Sequence, residues 1–364
     1  MKLNQDVLKA LSAFGIETNV PTVGLEKNLM TTGGAGVGDE VTPGSTMNNA
    51  LIDAIPTYGT FLPQLPGNQN VALGRMMNPI EEVPIVGDVG LFKLGSEKSS
   101  GAFAMAAGNS DLATGSITIT QKKLEMTVDV TEELKTFNIL GAEEFERRLK
   151  EKVAKAAART IEHVILNGDS DATNTNINYE GGAAPAATEA YLGFNNGLRD
   201  IALSTAINIG SPSLTGLRSM ENLLGDYFAT PENCLWLYNR STYNAFTGLQ
   251  QFYDAAQRGE SSTVAGNAIT SIDGADVFIC RDLVKAQATG KVSSNPANNT
   301  LGQLLLVWKP AVQYGFGSEI NMMIMNWGKD GYQLQCWFFF GFTIVSAKAG
   351  VTDASVAMGR NVTL

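Results

Sequence analysis

Few residues in this chain have the types and spacing that catalysis or metal binding requires. His163 is the single histidine among 364 residues, so a second imidazole for a metal site is missing. It lies between Ile161 and Ile165 in a helical pattern, where a structural or solvated role is expected. The sequence contains no nucleophile elbow, Walker loop or zinc-protease motif. We therefore expect no cofactor, no metal and no enzymatic activity.

Three weaker patterns favour structure over chemistry. The glycine cluster at 34–38 lacks the preceding strand and following helix of a phosphate-binding loop. Residues 169–171 begin like a calcium loop but lack the remaining ligands at the required spacing, which favours a solvated loop. The acid pairs at 81–82 and 132–133 have no evident cleft, and solvated faces are expected for both.

Charge and cysteine usage exclude several function classes. The formal net charge is −10, so direct binding of free nucleic acid is a poor interpretation, although such a chain can still enclose nucleic acid. Cys234, Cys280 and Cys336 are odd in number and far apart, which argues against a disulfide framework and suits a reducing cytoplasm. The most apolar stretch, 336–345, is half the length of a membrane span of about 20 residues and indicates a buried strand.

The elements that would position any site begin with a long two-stranded ribbon. Its first strand is predicted from Val83 to near Leu94, its Gly/Ser/Ala-rich tip spans 95–114, and its return strand spans 116–130. An isolated hairpin is marginally stable in water, so we expect this ribbon to hold a neighbouring subunit. Charged residues make up only 17% of the chain, which favours surface buried between subunits over a merely Gly- and Ala-rich globular protein.

An amphipathic helix is predicted at 142–167, directly after the ribbon. Its apolar residues recur every four positions and form one stripe: Phe145, Leu149, Val153, Ala157, Ile161 and Ile165. A surface loop is predicted at 168–193. An α/β pattern follows, with helices at 198–207, 215–229 and 240–249 and strands at 233–238, within 271–280, at 304–308 and at 333–348.

The N-terminal eighty residues read as an arm and not as an independent domain. A short amphipathic helix is predicted over residues 3–14, a Gly-rich flexible stretch follows, and four prolines between 56 and 79 favour extended structure.

The order of these elements resembles the major capsid proteins of tailed bacteriophages, whose fold is named after phage Hong Kong 97. The ribbon looks like the extended loop of that family, and the helix ending in Asn167-Gly168-Asp169 looks like its spine helix. Further stretches resemble the family in order: Thr120-Gln121-Lys122-Lys123-Leu124, Val130-Thr131-Glu132-Glu133-Leu134, Leu235-Trp236-Leu237-Tyr238-Asn239-Arg240-Ser241-Thr242-Tyr243, Asp273-Gly274-Ala275-Asp276-Val277-Phe278-Ile279, Asp282-Leu283 and Leu305-Leu306-Val307-Trp308. The resemblance covers residues 80 to 350.

The resemblance implies an α+β fold of the Hong Kong 97 type. The expected parts are an N-terminal arm (1–82), an extended β-hairpin loop (83–130), a peripheral domain (131–230) with the spine helix at 142–167, an axial domain (231–335) and a C-terminal strand (336–364) returning to the peripheral domain. It also implies a shell protein that forms pentamers and hexamers of an icosahedral head in the virion. That head would be assembled in the bacterial cytoplasm, would enclose double-stranded DNA without sequence-specific binding and would involve no membrane.

Two sets of apolar and basic residues are the candidates for intersubunit contacts. The loop candidates are Phe92, Lys93, Leu94, Lys98, Phe103 and Met105, and the arm candidates are Leu3, Val7 and Leu11. Local packing within one subunit is the alternative role for these residues. Expected partners are further copies of the chain, a separate scaffolding protein, a portal and decoration proteins. The arm lacks the charged helical scaffold of some relatives, so no large cleaved segment is expected. No partner asparagine or catalytic acid matches a covalent cross-link.

Two other functions stay open on the sequence alone. One is an encapsulin-type compartment of the same fold, which would load a cargo enzyme instead of a genome; the long arm and full ribbon favour the phage interpretation. The other is a soluble α/β enzyme or ligand-binding protein, which would require a monomer or small oligomer with a convergent polar pocket.

Overall fold

A computed structural model describes residues 61–65, 80–86, 114–131, 142–249, 264–265, 268–269, 271–317, 321–326, 331–345 and 354–364. Its α-helices are α1 (Ala142–Asn167), α2 (Leu198–Leu203), α3 (Leu214–Leu224) and α4 (Arg240–Thr247). Its strands are β1 (Ile80–Val86), β2 (Thr114–Thr120), β3 (Lys122–Thr131), β4 (Ile207–Asn208), β5 (Cys234–Tyr238), β6 (Val264–Ala265), β7 (Ala268–Ile269), β8 (Ser271–Ile272), β9 (Ala275–Ile279), β10 (Gly302–Trp308), β11 (Val312–Phe316), β12 (Asn321–Asn326), β13 (Gly331–Ile344) and β14 (Val356–Val362). Helices and strands are mixed, as the predicted α+β class requires.

The described residues divide into two compact units. The smaller contains 125–131, 142–151, 321–326 and 331–337, and the larger contains the other described residues. Helix α1 and strands β3 and β13 each begin in one unit and continue into the other.

A six-stranded sheet forms the centre of the larger unit, in the order β4-β14-β10-β5-β9-β8. Strand β10 is antiparallel to both β14 and β5, and β5 is parallel to β9. All five residues of β5 are buried, as expected for a strand covered on both faces. Helix α3 covers this sheet through Leu217, Met220 and Leu224, which lie three and four residues apart on one helix face.

Two local sequence signals explain how the elements of this sheet begin and turn. The Ser213 side chain accepts a hydrogen bond from the Gly216 N–H and caps the start of α3. Asp273 and Gly274 join β8 to β9 with φ values of 47° and 91°, the left-handed backbone that a two-residue hairpin turn of this kind requires.

The second half of α1 and an aromatic strand pair form another part of the larger unit. Val153, Ala157, Ile161 and Ile165 are buried, so the predicted stripe is confirmed at these four positions. Strand β11 pairs with β13 from Val312↔Ile344 to Phe316↔Phe340. Aromatic rings on these two strands and on the loop before α2 lie close together and form an aromatic layer: Phe194, Tyr314, Phe316, Phe338, Phe340 and Phe342.

The smaller unit contains the ladder between β12 and the first half of β13, which runs from Asn321↔Trp337 to Asn326↔Tyr332. Strand β3 also pairs with β13. The Gln333 Nε2 donates a hydrogen bond to the Asp129 Oδ1 at 2.9 Å, a polar link between β13 and β3 on this side.

Three element predictions need correction. The return strand predicted at 116–130 is two strands: β2 pairs with β1, whereas β3 joins β13 in a different sheet. The closing segment 336–364, predicted as one strand, contains the end of β13 and the separate strand β14, and β14 lies beside β10 in the six-stranded sheet. The loop at 168–193 is not wholly a surface loop, because Asn176 and Ile177 are buried within it.

Candidate assembly surfaces

The residues predicted to make intersubunit contacts lie outside the part of the chain that the structure describes. These are the loop residues Phe92, Lys93, Leu94, Lys98, Phe103 and Met105 and the arm residues Leu3, Val7 and Leu11. Their roles therefore stay predictions. What the structure does describe is how the roots of the loop and of the arm are fixed to the subunit.

The base of the ribbon is an antiparallel pair of seven-residue strands. The register runs from Ile80↔Thr120 to Val86↔Thr114 without a bulge. Among the described residues, β1 and β2 pair only with each other. Ile80, the first residue of β1, exposes 58% of its surface, and Phe339 on β13 exposes 37%. Such apolar exposure is available to a neighbouring molecule.

Gly317, which directly follows β11, and Gly341 on β13 form a notch that receives the junction between β2 and β3. The N–H of Gly317 donates to the carbonyl of Phe339, which sets Gly317 beside β13. A Cβ on Gly317 would coincide with the side chain of Gln121. A Cβ on Gly341 would lie 2.9 Å from Ile119 Cγ2 and 3.0 Å from the Thr120 carbonyl oxygen, inside ordinary contact distance. The missing side chains therefore let the root of the ribbon cross the sheet in close contact, and they explain why the return strand breaks at Gln121.

A short segment of the predicted arm is anchored on α1. Residues 61–65 form a single 3-10 turn in which Phe61, Leu62 and Leu65 are buried. The backbone N–H groups of Phe61 and Leu62 both donate to Glu162 Oε1, at 2.7 and 3.0 Å. Glu162 is itself only 4% exposed. A buried carboxylate thus accepts the two N–H groups at the start of the turn, and hydrogen bonds to a charged acceptor are stronger than neutral ones.

The C-terminal end of α1 is tied to the following loops by one buried arginine. Arg199 Nη1 donates to Asn167 Oδ1 at 2.7 Å and to Asn178 Oδ1 at 2.8 Å. Its Nη2 donates to the carbonyl oxygens of Ile177 and Gly290, at 3.4 and 3.3 Å. Burial lowers the pKa of Arg199 to about 10, which still leaves the guanidinium charged at neutral pH. One cation therefore connects α1, α2 and two loops.

The single histidine belongs to a small polar group beside this network. His163 Nδ1 lies 3.2 Å from Asn167 Nδ2 and 3.9 Å from Asp282 Oδ1. Burial lowers the pKa of His163, and the opposing effect of Asp282 is smaller. Its ring also meets the Tyr191 ring edge-on, with centroids 5.6 Å apart. These packing contacts match the structural role expected for His163.

Two neighbouring carboxyl groups of the larger unit, Glu221 and Asp273, form an acid pair in which the pKa of Glu221 is raised. The pKa of Glu221 is raised to about 7, mainly by burial and also by the hydrogen-bonded carboxyl group of Asp273, against a smaller lowering by Arg218. Glu221 lies on α3, and Asp273 lies at the tip of the β8–β9 hairpin. Two carboxyl groups that share a proton hold the helix and the hairpin together best when Glu221 is protonated.

All three cysteines of the chain lie in the described part and are buried. Burial raises the pKa of all three thiols, to about 12 for Cys280 and about 11 for Cys234 and Cys336. No group of three or more metal-ligating side chains occurs within the described residues. In the same part of the chain, no helix is both long and apolar enough to cross a membrane.

Sequence reasoning missed Glu162, Arg199, Gly317 and Gly341. A signal existed for Glu162, because Ala154, Ala158 and Glu162 form a second row of four-residue spacing next to the predicted stripe, and all three are buried. Gly341 interrupts an aromatic strand, where a glycine often marks close backbone approach. Nothing local distinguished Arg199 from an exposed helical arginine.

Comparison with known proteins finds similarity in structure but not in sequence. No protein-family model and no curated protein matches the chain. A solved structure of Microbacterium phage Oxtober96 matches with a TM-score of 0.51 at 14% identity, over 95% of this chain and 99% of that chain. The capsid of a native GTA particle, computed with C5 symmetry, matches with a TM-score of 0.50 at 12% identity, over 95% of this chain and 100% of that chain. The capsid of the empty GTA particle matches with a TM-score of 0.50 at 11% identity, over 94% of this chain and 99% of that chain.

These matches confirm the predicted fold. The chain has the α+β fold of phage capsid structures, as its resemblance to the Hong Kong 97 type predicted.

Proposed function

We propose that this chain is the major capsid protein of a tailed phage or phage-like particle. It assembles into pentamers and hexamers of an icosahedral shell that encloses double-stranded DNA. The observation that carries the proposal is the near-complete mutual coverage with the GTA capsid, 95% of this chain and 100% of that one. The two chains therefore share one fold over nearly the whole of the lengths compared.

The described contacts support a mechanism in which each subunit extends two segments from firmly fixed roots. The ribbon is held at the glycine notch of Gly317 and Gly341, and the arm is held at Glu162. Beyond its root the ribbon is two strands wide, and such a pair needs a further surface for stability. Neighbouring subunits supply that surface in the proposed shell, so many weak contacts add up through multivalency.

Electron microscopy of the chain tests the shell directly. The chain is expressed alone and together with the genes next to it, and the purified material is imaged by negative stain. Closed shells or rings of five and six subunits are expected. A homogeneous monomer under both conditions would refute the proposal. Particles that contain a protein cargo and no DNA would contradict the genome-enclosing part and favour the encapsulin alternative.

A loop variant tests the role of the ribbon. Deletion of residues 96–113 removes the predicted tip while β1, β2 and the notch residues stay in place. We expect a folded subunit, with wild-type circular dichroism, that forms no closed shells. A control variant replaces 96–113 by a Gly/Ser segment of equal length and separates loop length from loop sequence. Normal shells from the deletion variant would remove the ribbon from the mechanism.

A further inference from the structure

The basic residues of this acidic chain are concentrated on α1. Residues 147–159 contain six lysines or arginines and one acidic residue, in a chain that has 26 basic and 36 acidic residues in all. If the 26 basic residues were placed at random among the 364 positions, a segment of this length would contain about one basic residue. Local charge of this kind indicates a surface that receives a polyanion.

The helix presents part of this charge on one exposed face. Lys152, Lys155 and Arg159 are exposed and are separated by three and four residues, so they lie side by side along the helix. We call these three residues the basic face of α1. Val153 and Ala157 are buried on the other side of the same turns. The basic face therefore points away from the subunit core.

The side chains of the basic face stay exposed within the subunit. Arg159 Nη2 lies 3.8 Å from Asp282 Oδ1, and the Arg159 side chain is still 55% exposed. A contact that long at an exposed site contributes little. The three cations extend over about 10 Å of helix axis. Duplex DNA carries about one negative charge per 1.7 Å of its axis, so a duplex along this face offers several phosphates within reach.

We propose that the basic face of α1 binds the phosphate backbone of the enclosed DNA, without sequence preference. This inference rests on the proposed function for its biological occupant. A subunit with a net charge of −10 repels DNA over most of its surface, and a local basic face gives the duplex defined contact points on the shell wall. Lysine and arginine are the side chains that neutralise phosphates, and contacts to phosphates carry no direct sequence information.

Binding of a short duplex to unassembled subunits tests the inference. The probe is a fluorescein-labelled DNA duplex of about 30 base pairs and arbitrary sequence, with salt varied between about 50 and 200 mM. For three phosphate contacts, the affinity should fall about 40-fold over this range. The variant K152Q/K155Q/R159Q should bind at least about tenfold more weakly at the lower salt and should lose most of the salt dependence.

A matched control separates position from net charge. K122Q/R240Q/K285Q removes three exposed cations from other elements and changes the net charge by the same amount. It should bind the duplex like wild type. The inference would be overturned if both variants lost the same affinity for the duplex, or if K152Q/K155Q/R159Q lost none. It would also be overturned if wild type did not bind the duplex at the lower salt. Tighter binding of poly-glutamate than of the duplex would also overturn it and would indicate an acidic protein segment as the occupant.

Imaging of the same preparations keeps this test apart from the proposed function. Shells should form from wild type and from both variants, because the basic face is not part of the notch or of the arm anchor. Shells with unchanged DNA binding in K152Q/K155Q/R159Q refute the inference alone. Loss of shells in wild type refutes the proposed function and leaves the DNA-binding measurement to decide the inference.

Discussion

Replacing Glu162 by alanine should release residues 61–65 from α1 while the rest of the subunit stays folded. In wild type, burial of Phe61, Leu62 and Leu65 contributes roughly 6 kcal/mol. The two hydrogen bonds from Phe61 N–H and Leu62 N–H to Glu162 contribute about 4 kcal/mol, because their acceptor is charged. Ordering the five residues costs about 7 kcal/mol of conformational entropy. The balance favours docking by about 3 kcal/mol, or roughly a hundredfold.

Without the carboxylate this balance changes sign. Loss of about 4 kcal/mol leaves the undocked state favoured by about 1 kcal/mol. The amides of Phe61 and Leu62 should then exchange with solvent at least about a hundredfold faster than in wild type. Hydrogen exchange read by mass spectrometry measures this, and circular dichroism verifies that the subunit remains folded.

Two variants sharpen the measurement on Glu162. Glu162→Gln keeps a carbonyl acceptor and loses the charge, so its exchange rates should lie between those of wild type and Glu162→Ala. Glu151→Ala removes a half-exposed carboxylate from the same helix and should leave the exchange of residues 61 and 62 unchanged. Wild-type protection in Glu162→Ala would refute the reasoning and would show that apolar burial alone holds the segment.

Three further variants test the notch, the buried cation and the acid pair. Gly341→Val should lower the free energy of unfolding by about 1–3 kcal/mol in denaturant titrations, since its side chain would overlap Ile119. Gly193→Ala should not, because its Cβ would lie 3.9 Å from Lys122 Cγ, an ordinary contact distance. Arg199→Met should cost about 3–5 kcal/mol in the same assay, because Asn167 Oδ1, Asn178 Oδ1 and the Gly290 carbonyl oxygen lose the guanidinium donor, whereas the Ile177 carbonyl oxygen keeps the Val292 N–H. A loss below about 1 kcal/mol would contradict the role given to the guanidinium. Because the folded-state pKa of Glu221 is raised from 4.5 to about 7, its stabilising contribution is complete below pH 4.5 and is lost as pH rises through 7. Thermal unfolding at several pH values should therefore show the stability of Glu221→Gln rising relative to wild type by roughly 1 kcal/mol between pH 4.5 and 7. This figure is reduced because the carboxyl group is partly exposed. Parallel stability profiles of the two proteins would contradict the interaction between Glu221 and Asp273.

Much of the framework could be predicted from periodicity and turn chemistry. The stripe from Phe145 to Ile165 predicted α1 at its observed bounds, because a four-residue repeat over about six turns has one structural interpretation. Residues 271–280 predicted a turn followed by a strand, and the structure has the β8–β9 hairpin turn there, at Asp273-Gly274, whose φ values are left-handed.

The features that fix the ribbon and the arm depend on contacts distant in sequence, and periodicity does not encode these. Residues 116–130 alternate as one strand, and only the approach of Gln121 to Gly317 shows why the strand breaks. The 3-10 turn at 61–65 is stabilised by Glu162, about a hundred residues further along the chain. The segment 336–364 was predicted as one strand, and its sequence does not show that β14 is separate and pairs with β10.

The position of β14 also orders events during synthesis. This strand lies between β4 and β10, with Gly359 paired to Ile207 on one side and to Leu304 on the other. Until the ribosome has added residues 356–362, neither of these two ladders can form, and both older strands keep an unpaired edge. Late, non-local pairing of this kind slows folding. We therefore expect a nascent chain to complete its central sheet only after translation has passed β14, which separates the synthesis of a subunit in time from its incorporation into a shell.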